Sequence, residues 1–368
     1  MSANLAESST LIALLGKKDV PTDGVEDYCR FLGRALEAGG YKVEMVRVPW
    51  NERGWIRAWT RLWQVSREWE GKWVLVQYTA LMWSRRGFPL AFLGVLLILK
   101  ARGARLIAVF HDVAPCAGRR MVDRIRRACQ LWVLRRAYGW ARACVLPVPI
   151  EQVNWLPRPA TKARFIPVGP NVPAIVRGDR SGSRGNEART IGVFTVTDAG
   201  DIRQEVSAIT HVATAATAFF RKVRLVTLGR GSSESERLFR QALAGSAVDF
   251  SALGTLPADR VAMVLGTCDI SLFVRGQIST QRGSAIASIA CALPLVAYAE
   301  GSLPGPLAEA GVVGVPCGDQ EALAEAAVKV LSNDGLWLEL HQRSQRAYEA
   351  YFSWEVIATR LVELLGHA

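Results

Sequence analysis

Short apolar runs rich in β-branched residues alternate along this chain with longer stretches whose apolar residues recur every three to four positions. In the first half the alternation predicts strands over 11–15, 42–48, 73–78, 105–111, 144–149 and 164–167. Helices are predicted over 25–39, 89–102 and 121–141. The first of these stops at Gly39-Gly40, because glycine accepts the left-handed turn that ends a helix. Residues 51–73 read as a further helix. Wound at 3.6 residues per turn, it puts Trp55, Ile56, Trp59, Leu62, Trp63 and Trp69 on one broad face and Arg53, Arg57, Arg61 and Arg67 on the other.

The stretch 177–189, RGDRSGSRGNEAR, has no large apolar residue and reads as a linker or loop. The alternation then resumes. Strands are predicted over 190–195, 223–228, 248–252, 270–274 and 295–298. Helices are predicted over 205–220, 234–245, 258–266, 284–292, 319–331, 336–351 and 354–365. Strand–helix alternation in both halves predicts an α/β chain of two doubly wound, Rossmann-like domains. Such sheets bind ligands beyond the carboxyl ends of their strands, so two of them facing each other would place a site in the cleft between them.

Composition removes several function classes. Half of the 368 residues are apolar and 21% are charged, which fits a globular chain. The longest near-continuous apolar run, 87–99, is thirteen residues, whereas a bilayer span needs about 18–20. No transmembrane helix is expected. The first residues, MSANLAESST, lack the basic-then-apolar pattern of a signal peptide. The seven cysteines are scattered, odd in number and without a CxxC pair. Reduced thiols in a cytoplasmic protein are therefore expected, with neither a disulfide frame nor a bound metal.

The net charge of +12 is unevenly spread. Residues 1–176 hold 27 basic and 13 acidic residues, +14, and ten of the twelve tryptophans. Residues 177–368 hold 18 basic and 20 acidic residues, −2. A basic helix rich in tryptophan, with Trp55, Trp59 and Trp63 beside Arg57 and Arg61, suits an anionic membrane surface. It equally suits a helix that packs its tryptophans onto its own domain. The basic helix over 119–142 either extends that surface or is solvated. Nucleic acid is a poor partner, because no nucleic-acid-binding motif accompanies the charge.

Three stretches can carry chemistry. Thr227-Leu-Gly-Arg-Gly-Ser-Ser233 joins a strand to a helix, and its Gly229, Arg230 and Gly231 let backbone amides approach an anion. It lacks the third glycine of a dinucleotide fingerprint, since position 234 is Glu, and a plain tight turn is the alternative. Ser279-Thr-Gln-Arg-Gly-Ser284 opens a helix with Arg282, Gly283 and Ser284. A forked cation, a hydroxyl and free amides suit a diphosphate; a simple helix cap is the alternative. His111-Asp112 directly follows an apolar strand, where a doubly wound sheet presents side chains to its ligand.

These stretches resemble the retaining, nucleotide-sugar-dependent glycosyltransferases of GT-B architecture, in the large family-4 group. Thr22-Asp-Gly-Val25 is similar to the family's Gly-Val turn near the donor phosphates, and Phe110-His-Asp112 to its His-containing turn at the reaction centre. Phe165-Ile-Pro-Val-Gly169 resembles its hinge-side segment. Cys291-Ala-Leu-Pro-Leu-Val-Ala297 resembles its small-residue-then-Pro-Val-Val stretch. Tyr351-Phe-Ser-Trp-Glu355 resembles the start of its terminal helix, which crosses back to the first domain.

The departures are specific. Aligned on Pro294, the family's two donor-site glutamates fall on Ser279 and Ala287, and its basic pair falls in 197–203, where only Arg203 remains. The Gln-Arg-Gly-Ser stretch is similar to an Arg-Arg-Gly-Thr variant found in a subset of these enzymes.

The resemblance implies an acceptor domain over 1–172 with a returning helix over 352–368, and a donor domain over 173–351. It implies diphosphate contacts from Gly24, Arg203, Gly229, Arg230, Arg282, Gly283 and Ser284, with Glu300 as a substitute ribose contact. His111 would orient the sugar or handle a proton, and Asp112 would orient His111. The donor substrate would be a nucleotide-diphosphate sugar, with no cofactor and no metal. The acceptor would be a saccharide or lipid-linked alcohol, in cell-surface polysaccharide or glycolipid assembly. The enzyme would be cytoplasmic and peripheral on the inner membrane face. A non-catalytic partner that kept the fold and lost donor binding is the alternative.

Overall fold

The computed structural model describes residues 9–20, 22–174, 188–196 and 202–367. The chain divides into two compact units, Met1–Pro167 with Trp354–Ala368, and Val168–Ser353.

In the first unit the strands are β1 (Ser9–Leu15), β2 (Tyr41–Arg47), β3 (Trp73–Tyr78), β4 (Arg105–Phe110), β5 (Ala143–Leu146) and β6 (Ala163–Phe165). They form one sheet in the order β2-β1-β3-β4-β5-β6, parallel throughout. The helices are α1 (Gly24–Glu37), α2 (Trp50–Arg53), α3 (Trp55–Val65), α4 (Phe92–Ala101), α5 (Met121–Trp140) and, from the chain's end, α13 (Trp354–His367). A parallel sheet covered on both faces needs strands that are apolar at every position. The runs Val74–Val76 and Leu106–Phe110 are accordingly buried without alternation.

In the second unit the strands are β7 (Ala188–Phe194), β8 (Lys222–Leu228), β9 (Val248–Ala252), β10 (Ile270–Phe273), β11 (Leu295–Tyr298) and β12 (Val312–Val315). Their order is β12-β11-β10-β7-β8-β9, again all parallel. The helices are α6 (Ile202–Ala216), α7 (Ser232–Ala242), α8 (Ala258–Leu265), α9 (Gly283–Ala290), α10 (Gly305–Glu309), α11 (Gln320–Ser332) and α12 (Asp334–Ala347). Strand order reverses between β7 and β10 here, and between β1 and β3 in the first unit. At such a reversal the connections diverge to opposite faces and leave a crevice at the strands' carboxyl ends.

The expected α/β class and the two doubly wound sheets are what the structure contains. Several boundaries differ for local reasons. The helix expected over 51–73 is broken at Gly54, whose φ of +75° ends α2 and starts α3. The strand expected over 144–149 stops at Leu146, because Pro147 and Pro149 have no N–H to pair. Strand β7 begins at Ala188, inside the stretch read as a linker. The remainder of that stretch, 177–187, lies outside the described residues. Helix α10 and strand β12 were not expected, since five and four residues are too short to show a period.

Candidate functional site

The strand-order reversal of the second unit is built from the ends of β7 and β10 and the loop that opens α9. After β7, Thr195 takes a φ of +74°, an outlier for a β-branched residue. It is held by its amide donating to Leu228 O at 2.8 Å, while Val196 N donates to Arg230 O at 2.9 Å. Gly229, at φ +83°, completes the turn after β8. Its amide donates to Gly254 O at 2.7 Å, and a Cβ there would stand 2.8 Å from the Phe194 ring. The buried Ser232 hydroxyl ties the same turn to Thr227 O and accepts from Gly254 N.

The α9 loop is different in kind. Three of its polar side-chain atoms, Ser279 Oγ, Gln281 Oε1 and Arg282 Nε, are buried without a hydrogen-bond partner, as is Asn171 Oδ1 of the segment before β7. Asn171 Oδ1 lies 3.9 Å from where a Cβ on Gly283 would sit. Arg282 is the N-cap of α9 and makes no side-chain cap bond. The amides of Gly283 and Ser284 donate to no described group; the first helical bonds are Ala285 and Ile286 to Arg282 O. Native proteins pair nearly all buried polar atoms. These unpartnered atoms and the two helix-start amides make the loop the candidate site, with donors suited to an anion and acceptors suited to hydroxyls.

The other expected diphosphate residues are less concentrated. Arg203 is exposed on the first turn of α6, and the 197–201 part of the expected basic stretch lies outside the described residues. Arg230 flanks Gly229 on the β8 turn and is half-buried. Gly24 opens α1, but the Val25 and Glu26 amides donate to the Asp23 carboxylate, both at 3.1 Å. Asp23 is itself held by Arg47 at 2.8 Å. These two amides already have an anion, and it is a side chain.

In the first unit, β3 and β4 pair Gln77 with Val109. Side chains two apart share a face, so Gln77 and His111 meet, with His111 Nε2 2.8 Å from Gln77 Oε1. The Gln77 amide nitrogen donates to Leu75 O, which leaves Oε1 as acceptor and makes His111 Nε2 the donor. The Nδ1 lone pair is then the side available to a ligand. The ring packs edge-on against Tyr28, which packs against Trp354 of α13. Burial pushes the imidazole down to about 4, against the opposing charge of Asp23. His111 is thus neutral at pH 7.

Asp112 was expected to orient His111. Its carboxylate instead accepts from Ala80 N at 3.2 Å, and Gln77 fixes the ring. A buried Gln inside the run Trp73–Tyr78 was the sequence signal for that role.

The lowered pKa has a measurable consequence. Between pH 6.5 and 4 the unfolded chain protonates this histidine and the folded one does not, so stability is full above pH 6.5 and falls as pH drops toward 4. His111's share of the slope approaches about 1.4 kcal/mol per pH unit. Urea unfolding from pH 7.5 to 4.5 should show a flatter decline for His111→Gln than for the parent; identical slopes would mean the ring is solvated.

Of the tryptophan face, read as meeting either a membrane or its own domain, Trp55 and Trp59 turn inward, while Ile56 is exposed. Trp55 stacks on Trp50 at 5.0 Å, and Trp59 fills the space over Gly94 of α4. Both pack against the unit's core. Trp63 is partly exposed, with the Arg102 guanidinium 3.6 Å over its ring. Arg57 and Arg61 are exposed. Packing onto the unit is the reading that holds for Trp55, which stacks on Trp50 and Trp83, and for Trp59, which lies on Gly94 of α4.

Residues 194–333 match the family described as Glycosyl transferases group 1. The match lies wholly within the second unit. Solved structures similar to the whole chain have the same GT-B fold. HepE of Anabaena, in complex with UDP and glucose, is 14% identical with a TM-score of 0.65, covering 98% of this chain and 100% of its own. Sucrose-phosphate synthase of Thermosynechococcus elongatus is 17% identical with a TM-score of 0.65, covering 98% of each chain. MnaA of S. aureus, in complex with UDP, is 10% identical with a TM-score of 0.59, covering 98% of this chain and 96% of its own. No curated protein matches the chain by sequence.

The two positions on which the resemblance would place glutamates differ in surroundings. Ser279 keeps a buried, unpartnered hydroxyl in the α9 loop. Ala287 is fully buried with Val172, Leu228 and Leu265 in an apolar cluster. A carboxylate at that register would have to be desolvated, so the helix face has been given over to packing. Glu300, the proposed substitute, is exposed after β11. Its carboxylate lies beside Cys317, whose thiol is pushed up by burial and by that charge. Asn171 and Gln281 were not anticipated; neither lies in a periodic pattern, and only the fold brings Asn171 to α9.

Proposed function

We propose that this protein is a glycosyltransferase that moves a sugar from a nucleotide-diphosphate sugar to an acceptor alcohol. The observation that carries the reading is the α9 loop, with unpartnered buried polar atoms on Ser279, Gln281, Arg282 and Asn171 beside the free amides of Gly283 and Ser284. In the transfer, the anomeric carbon–oxygen bond to the diphosphate breaks and its electron pair leaves with the diphosphate. The acceptor oxygen bonds to the same carbon on the same face, with retention, and its proton passes to the departing diphosphate oxygen. Charge grows on the departing diphosphate, and fixed donors aimed at it lower the barrier. Arg282 and the two amides hold that charge without a metal, with Gly229, Arg230 and Arg203 as further contacts. Asn171 Oδ1 and Gln281 Oε1 accept from ribose hydroxyls in place of the lost glutamate.

His111 is an orienting group in this reading. An imidazole with a pKa of about 4 is a weak base at neutral pH, whereas its Nδ1 can accept from a sugar hydroxyl. The basic first unit takes the acceptor, a saccharide or lipid-linked alcohol in cell-surface polysaccharide or glycolipid assembly, on the cytoplasmic side of the membrane. Among the described residues, no helix is long and apolar enough to cross a membrane.

The apolar surroundings of Ala287 favour one other reading, a partner subunit that no longer binds a donor. Thermal-shift titration with UDP, GDP and their sugar forms separates the two. The enzyme reading expects one nucleotide to raise the Tm in a saturable way; no shift with any of them would support the partner subunit.

A further inference from the structure

The turn after β7 carries a backbone strain that a glycine would remove. Thr195 has a φ of +74°. In the left-handed region a β-branched side chain crowds its own backbone, and such a residue is an outlier. Elsewhere among the described residues that region is taken by glycine, apart from Ala292 in the turn that ends α9. A glycine at 195 would make the same turn without the crowding. The side chain, and not the backbone, is therefore what the position keeps, and strain of this kind collects at functional sites.

The amides around Thr195 are engaged. Its own donates to Leu228 O at 2.8 Å, Val196 N donates to Arg230 O at 2.9 Å, and Gly229 N donates to Gly254 O at 2.7 Å. None of the three is left for an anion, so the donor that Thr195 can still offer is its hydroxyl. The residue is half-buried, and among the described residues nothing donates to Oγ1 or accepts from it. Oγ1 lies 3.2 Å from where a Cβ on Gly229 would sit. The lack of a side chain at 229 keeps that side of the hydroxyl clear.

Thr195 also stands where a doubly wound sheet holds its ligand. It is the first residue beyond β7, which pairs with β10 at the strand-order reversal. The register sets Gly192 beside Ser271, which brings Phe194 level with Phe273 at the two carboxyl ends. The chain beyond β10 leads into the α9 loop, and α9 packs on β7. The free hydroxyl and the unpartnered atoms of Ser279, Gln281 and Arg282 thus stand at the same end of the sheet, beyond neighbouring strands.

We propose that the Thr195 hydroxyl donates a hydrogen bond to the diphosphate of the sugar donor, and that the left-handed turn exists to hold it there. The premise is the reading of this crevice as the donor site, to which this adds a contact made with the diphosphate and not with the nucleoside. A short hydroxyl on a fully hydrogen-bonded turn has little freedom to lose on binding, unlike a long cationic side chain.

Calorimetric titration compares the parent with Thr195→Val, Thr195→Ser and Thr195→Gly, using whichever of UDP and GDP the parent binds and the matching nucleoside. Thr195→Val keeps the branched shape and the strain and loses the donor. It should bind the diphosphate at least about tenfold more weakly, bind the nucleoside as the parent does, and keep the parent's Tm. Thr195→Ser keeps the donor and should retain the affinity. Thr195→Gly relieves the strain, so it should lose affinity as Thr195→Val does while its Tm equals or exceeds the parent's. Unchanged diphosphate affinity in Thr195→Val, equal weakening of diphosphate and nucleoside, or Thr195→Ser as weak as Thr195→Val would each overturn the proposal. Weak binding by Arg282→Ala with Thr195→Val unchanged would remove this contact and leave the donor reading standing. No binding of either nucleotide by the parent would remove both.

Discussion

Arg282→Ala is expected to weaken UDP binding about ten- to a hundredfold while leaving the Tm of the free protein almost unchanged. Hydrogen bonds to charged groups contribute about 1.5–3 kcal/mol, which is that range in affinity. Stability should be spared because Arg282 Nε has no partner to lose and the residue makes no side-chain cap bond to α9. Arg282→Lys keeps the charge and loses the planar fork, so it should fall between parent and alanine. Calorimetric titration with UDP reads all three. An unchanged Kd for Arg282→Ala would mean that the α9 loop does not hold the diphosphate.

Gly229→Ala should lower the stability of the second unit by about 3 kcal/mol. The left-handed backbone contributes about 1–2 kcal/mol, and forcing the Phe194 ring aside adds about 1–3 kcal/mol. The comparison that isolates the second term is Gly245→Ala. Gly245 has a φ of +80°, close to the +83° of Gly229, yet a Cβ there would meet nothing within 4 Å. It should cost only the backbone part. Urea unfolding of both variants checks this, and equal losses would show that the Phe194 ring does not close the turn. UDP affinity should fall in Gly229→Ala alone, since only that turn stands at the carboxyl end of the sheet beside β7.

That a helix opens at 283 with Arg282 before it and that a polar pair follows β4 was legible in the chain, because the apolar runs on either side mark where each element starts and stops. What those residues touch was not. His111 is held by Gln77, 34 residues away, through the register of β3 on β4. Asp23 occupies the α1 amides because Arg47, 24 residues on, brings it there. Trp55 and Trp59 share a helix face with Trp63, and only the positions of Trp50, Trp83 and α4 separate the packed pair from the more exposed third.

The period of apolar residues was therefore enough for the two parallel sheets, since a strand buried on both faces needs only to be apolar throughout, whatever its neighbours are. Polar roles followed another rule. A carboxylate, amide or imidazole acts through the one or two atoms within about 3 Å of it. Those atoms come from distant parts of the chain, so sheet register and helix packing assigned Gln77 to His111, Asp23 to α1 and Asn171 to the α9 loop.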